Sequence, residues 1–168
     1  MSTSLPADLM RYAAQVRQRF PRSVAGATVV DLDALAAHVC TSVDEFPLGT
    51  GVLGCTVFEH GAAYTAIREG LRQEQPARYR FTLAHEVSEV LLRRYLRTIP
   101  DASRHERLCD AFAAELLLPH AVVQESLAVL HEAGAAQAGA TLDQLARCLA
   151  RTYDVSLAAA RIAVARCL

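Results

Sequence analysis

Apolar residues recur at helical spacing in Leu9, Met10, Ala13, Val16 and Phe20, a stripe that Pro6 opens and Pro21 closes, which predicts a first amphipathic helix. Asp31 or Asp33 is placed to cap a second, shorter helix through Cys40. Residues 41–51 mix Gly, Pro and acids as loops do. Two runs rich in Val, Thr, Phe, Tyr and Ile follow, residues 51–59 and 62–69, and the intervening His60-Gly61 suits a tight turn. A small antiparallel sheet is expected there.

From Pro76 onward Phe81, Leu83, Ala84, Val87, Val90, Leu91 and Leu92 return to helical spacing as far as about Tyr95. Pro100 breaks the chain, Asp101 or Ser103 can cap a helix through Leu118, and Pro119 starts another that ends near Gly134. Residues 135–140 read as a loop of small residues. Thr141 with Asp143 and Gln144 marks a helix start, and residues 142–168 read as two helices separated near Asp154. No internal repeat is visible. The expected architecture is α+β: one domain over residues 1–168, with N-terminal helices in 1–50, sheet and central helices in 51–119, and C-terminal helices in 120–168.

Composition narrows the class without naming a chemistry. At 168 residues, 52% hydrophobic and 21% charged, the chain has the make-up of a globular protein. All seventeen basic residues are Arg and the formal charge is -1, so there is no global field to gather phosphates, and direct nucleic-acid binding is not expected. Asp8, Arg11, Arg17 and Arg19 interrupt the N-terminal apolar residues, which excludes a signal-peptide core, and no segment approaches a membrane span. The cysteines Cys40, Cys55, Cys109, Cys148 and Cys167 contain no C-x-x-C pair. They read as reduced, mostly buried thiols of a cytoplasmic protein.

The chemistry gathers on the helix after Pro76. His85 and Glu89 are four apart and share one face, where a metal could be gripped between them. Glu86, rotated by about 100° from His85, can flank such a site and take a proton from water. This is the zincin arrangement with one substitution, His-Glu-x-x-Glu for H-E-x-x-H. A second stretch, from Arg104 to Pro119, places Glu106 and Asp110 on one face of the next helix. A glutamate from a second helix is a standard third ligand for catalytic zinc, and an acid one turn on can hold a ligand histidine by its other ring nitrogen. Glu106 and Asp110 fit those roles.

Arg80-Phe81-Thr82-Leu83-Ala84-His85-Glu86, followed by Glu106 and by Asp110-Ala111-Phe112-Ala113-Ala114-Glu115-Leu116-Leu117-Leu118-Pro119, resembles the ImmA/IrrE metallopeptidase family. Tyr153-Asp154-Val155-Ser156 and the Ala-rich helix after it are similar to that family's tail, so the likeness covers residues 62–168. The resemblance implies a zincin-like fold, with the small sheet against the metal-site helix and the cleft between them. It also implies a zinc-dependent endopeptidase that cuts helix-turn-helix repressors and so switches on stress or mobile-element genes.

Glu89 departs from the family pattern, which has a second ligand histidine there. With His85, Glu89 and Glu106 as ligands, two carboxylates offset the cation's charge more fully, leaving the bound water less acidic. The harder donor set would let manganese or iron compete with zinc. The alternative is a catalytically weak or inactive relative that acts by binding a protein partner.

Other candidates have plainer readings. His105 points about 100° away from Glu106 and reads as an exposed histidine, and Cys109 reads as packing. His38, His60, His120 and His131 lack ligand spacing and read as surface or capping residues. Residues 141–165 have helix-turn-helix rhythm, but the Ala-Ile-Val surface of 157–164 looks made for burial rather than for DNA.

Overall fold

The chain was built as a computed structural model, which describes residues 5–24, 26–98, 101–132 and 139–168. In order, the elements are α1 (Ala7–Arg19), β1 (Pro21–Val24), β2 (Ala27–Val30), α2 (Leu32–Val39), β3 (Ser42–Phe46), β4 (Gly54–Glu59), β5 (Ala62–Arg68), α3 (Leu71–Glu74), α4 (Pro76–Tyr95), α5 (Ala102–Leu117), α6 (His120–Glu132), α7 (Gly139–Tyr153) and α8 (Leu157–Ala165). The fold is α+β, as the alternation of patterns predicts.

Local chemistry sets most of the boundaries. Asp31 accepts from the Ala34 amide and Asp101 from the Arg104 amide, both at 3.0 Å, and Ser156 accepts from the Ala159 amide at 3.1 Å. Each satisfies an amide that a helix start would otherwise leave unpaired. Pro76 occupies the first turn of α4, where its missing N–H costs nothing. At the hairpin, His60 (φ 49°) and Gly61 (φ 84°) are both left-handed, the geometry that lets strand twist continue through a two-residue turn. The predicted Pro100 break and most of the predicted loop at 135–140 lie outside the described residues.

Two parts of the sheet differ from expectation. The hairpin β4–β5 is antiparallel, but β3 adds to the other side of β5 in parallel, with Ser42 opposite Tyr64 and Phe46 opposite Arg68, so the sheet is mixed in the order β3-β5-β4. Acids are poor strand formers, and Asp44 and Glu45 hid this strand inside an apparent loop. They suit its position, since a charged edge resists pairing with another chain. The second addition is the antiparallel ribbon β1–β2, of which only Val29 and Val30 are buried.

α4 is the centre of the packing. It lies against α5, α2, α3 and strands β4 and β5, and Leu83, Val87, Val90 and Leu92 are at most 1% exposed. They join Leu35, Ile67, Leu71, Phe112 and Leu116 in one apolar cluster. Burial of this many large aliphatic side chains is the main force holding the two site-bearing helices together. A second cluster, around Val123, Leu149, Ala160 and Val164, holds α6, α7 and α8 and reaches the first through Val155. Arg17 links α1 to both β2 and the end of α5, donating to the Thr28 carbonyl at 3.0 Å and to that of Leu116. No single helix among the described residues is long and apolar enough to cross a membrane.

Some side chains lie elsewhere than the sequence suggests. His105 is buried, and its Nδ1 has no hydrogen-bond partner among the described residues, because the face of α5 that carries it is the one turned inward. Of the five free cysteines only Cys40 and Cys109 are buried, while Cys148 is exposed. The apolar residues of α8 divide: Ala160 and Val164 are buried in the second cluster, as expected, while Ile162 is 53% exposed.

Candidate active site

The site begins with the close approach of β4 to α4. A Cβ at Gly54 would stand 2.7 Å from Glu86 Oε1 and 2.7 Å from Thr82 Cγ2, closer than any real side chain tolerates, so only glycine lets the strand come this near. Two residues on, Thr56 donates its hydroxyl proton to Glu86 Oε2 at 2.7 Å. Thr56 in turn meets the Thr65 hydroxyl at 3.0 Å, and Thr65 donates to the Cys40 sulfur at 3.4 Å. Glu86 is thus a buried carboxyl, 5% exposed, held at one oxygen by the strand. Burial pushes its pKa up, and the Thr56 hydrogen bond and the adjacent His85 only partly offset that effect. A carboxyl poised in this way is suited to taking up and releasing a proton.

On the same helix His85 faces α5. Its Nδ1 is 2.9 Å from Asp110 Oδ1 and its Nε2 is 3.3 Å from Glu106 Oε2. Since a carboxylate only accepts, Asp110 fixes the proton on Nδ1, and the Nε2 lone pair of a neutral ring then faces a second carboxylate oxygen. Two acceptors face each other stably only with a cation between them, a proton or a metal. Two ligands each about 2.0–2.1 Å from a tetrahedral zinc stand about 3.3 Å apart. The donor types and this separation fit a divalent cation.

Glu89 lies one turn beyond His85. Its pKa is raised by burial and further by the charge of Glu106, which puts the two carboxyls within electrostatic reach. Among the described residues no three His, Cys, Asp or Glu side chains stand together as a ready-made metal site. The structure therefore sets Asp110 and Glu106 against opposite ring nitrogens of His85, with Glu86 and Glu89 nearby but not in contact with the ring. Cys109 is buried under this acidic patch. Burial, together with Glu89, Glu106, Asp110 and Glu86, pushes its thiol up to about 12, so it stays protonated and packs as an apolar residue.

His85, Glu86 and Asp110 open onto a cleft of about 1110 Å³. One wall is the cleft face of α4, the second is α5 from Arg107 to Leu117 with Leu118 just after it, the third is α8, and residues 51–54 leading into β4 close the fourth side. The small side chains Ala111, Ala114, Ala158, Ala159 and Ala163 leave it wide. The cleft thus lies between sheet edge and helix on one side, as the sequence predicts, but α8 supplies a wall that it does not. Of the apolar residues of α8, Ala158, Ala159, Ile162 and Ala163 line this cleft, while Ala160 and Val164 turn into the core.

A family model described as the IrrE N-terminal-like domain, a peptidase family, matches residues 72–164, which include α4, α5 and the C-terminal helices. The chain belongs to the IrrE N-terminal-like family. No curated protein matches it. Membership in the IrrE N-terminal-like family makes this a domain of metallopeptidase type, and its matched segment begins just before α4, so it contains His85, Glu86, Glu89, Glu106 and Asp110. Gly54 and Thr56, which hold Glu86 from the strand side, lie outside the matched segment. Nothing in a β-rich run distinguishes the one glycine and the one threonine that face a helix.

Proposed function

We propose that this protein is a metal-dependent endopeptidase of the ImmA/IrrE type. One observation carries the reading: a histidine held by Asp110 presents its other ring nitrogen to Glu106, with the buried carboxyl of Glu86 on the next position of the same helix. His85, Glu89 and Glu106 would hold the cation, zinc before manganese or iron, with Asp110 orienting His85. When bound, a divalent cation there supplies Lewis acidity toward the scissile carbonyl and toward water.

The chain's own residues do the rest. Glu86 accepts a proton from the attacking water at the oxygen that Thr56 leaves free, and its raised pKa allows it to keep that proton long enough to hand it to the departing amine. Phe81 and the apolar walls of α5 and α8 exclude bulk water from the peptide. Among the described residues the outer edge of β4 has no strand beside it, and it leads from the site, which suits a substrate held in extended form. The substrate we propose is a helix-turn-helix repressor, cut in the cytoplasm to release stress or mobile-element genes.

Purified protein should carry about one equivalent of metal, Glu106→Ala and Glu89→Ala should each lose it, and Glu86→Gln should retain metal and cleave nothing. Metal retained undiminished by Glu89→Ala would remove Glu89 from the ligand set. The substitution of Glu89 for histidine favours a second reading, a relative that binds its partner without cutting it. A stable complex with an intact repressor after prolonged incubation with zinc would decide for that reading.

A further inference from the structure

Three guanidinium groups project from the walls of the cleft: Arg78 from α4, Arg107 from α5 and Arg166 just after α8. All three are exposed, and among the described residues none lies within ion-pair distance of a carboxylate. Some arginines outside the cleft do meet carboxylates, Arg72 with Asp33 and Arg161 with Asp143, at 2.6 Å each. The cleft's own carboxylates are already engaged, Glu86 by Thr56 and Asp110 by His85. Between the arginines much of the lining is apolar, and two of its large side chains, Phe81 and Ile162, are 36% and 53% exposed. Large exposed apolar side chains beside unpaired charges of one sign mark a binding surface rather than a solvated one.

We infer that the cleft selects polypeptide segments in which a large apolar side chain is flanked by Asp or Glu, the apolar group resting on Phe81 and Ile162 and the acids meeting Arg78, Arg107 and Arg166. The inference rests on the peptidase reading for its consequence, since these residues would set which bond reaches His85 and Glu86. Its binding component stands apart from that reading. Arginine suits the task because its planar fork holds a carboxylate at two points.

The test uses short fluorescein-labelled peptides with a central Leu or Phe flanked by Asp and Glu, by Lys, or by Ser. Fluorescence anisotropy is read with the metal-free full chain and again with zinc. The acidic peptides should bind about tenfold more tightly than the lysine set, and the advantage should shrink with added salt. Arg78→Glu combined with Arg166→Glu should reverse the order, and both positions are exposed, so folding is expected to survive. Ile162→Ser should weaken all peptides while preserving the acidic preference. Equal affinity for the three sets, a preference unchanged by the double substitution, or displacement of bound peptide by duplex DNA at equal charge concentration would overturn the inference. Selective binding without hydrolysis on adding zinc would instead count against the peptidase reading, and hydrolysis indifferent to flanking charge would sustain that reading and defeat this one.

Discussion

Glu86 depends on two residues of β4 that no catalytic motif contains. An added methyl at position 54 has nowhere to go, because Thr82 Cγ2 is on a short branched side chain that cannot swing away and Glu86 Oε1 is the group whose position matters. Gly54→Ala should therefore cost about 1–3 kcal/mol in denaturant unfolding and displace Glu86, with hydrolysis falling further than stability alone explains. Thr56 acts on the charge of Glu86 rather than on its room. Its hydrogen bond lowers a carboxyl pKa that burial raises, so Thr56→Val should move that pKa further up. The acidic limb of the pH–rate profile should shift to higher pH, with kcat falling more than KM changes, and Thr56→Ser should restore both. A profile unmoved by Thr56→Val would mean that the hydroxyl does not hold the base.

At the scale of elements, Arg80 ties the turn between α7 and α8 to α4. Arg80, with only 11% of its side chain exposed, donates from Nε to the Asp154 carbonyl at 3.1 Å and approaches Asp154 Oδ2 at 3.3 Å. Asp154 has φ 53°, and it sits in the turn that sends α8 back across the cleft. Arg80→Ala should cost about 1–3 kcal/mol and free α8 to shift, raising KM for peptides more than it lowers kcat. Equal KM for wild type and variant would separate α8 from substrate binding. Several helices are readable from the sequence because each has a cap or a proline at a definite place, Pro6, Asp31, Pro76 and Asp101 among them, whereas the short α3, entered from Gly70 without a side-chain cap, has no such mark. β3 was not, since Asp44 and Glu45 belong to the strand for reasons of edge protection that no propensity reveals. On α8 the apolar residues expected to be buried are so at Ala160 and Val164, but Ile162 faces the cleft, because a core and a cleft wall share one pattern. His85, Glu86, Glu106 and Asp110 stand out through spacing, while the contacts of Thr56 and Gly54 are made across thirty residues and leave no local trace.

The whole molecule carries several carboxyls whose burial has a consequence for stability. Glu86, Glu89 and Glu115 all have pKa values raised chiefly by burial, so around their titration range the folded chain binds more protons than the unfolded one. Stability then falls as pH rises from the ordinary carboxylate range through the raised values, because each group must lose its proton in a place that disfavours the charge. Asp143 works in the opposite sense and at lower pH, held below its ordinary value by Arg161 and Arg147. Thermal melts of metal-free protein from about pH 4 to about pH 8 should therefore show a declining Tm above the carboxylate range. Glu86→Gln should melt higher than wild type in the upper part of that interval and equally in the lower part. Zinc should reverse the decline, since it binds deprotonated ligands in the folded state only: saturation at 100 times Kd adds about 2.7 kcal/mol, and the gain should grow with pH. Parallel melting curves for wild type and Glu86→Gln would show that Glu86 does not carry a burial penalty. A zinc-induced rise in Tm that persists in Glu106→Ala would place the cation somewhere other than beside His85.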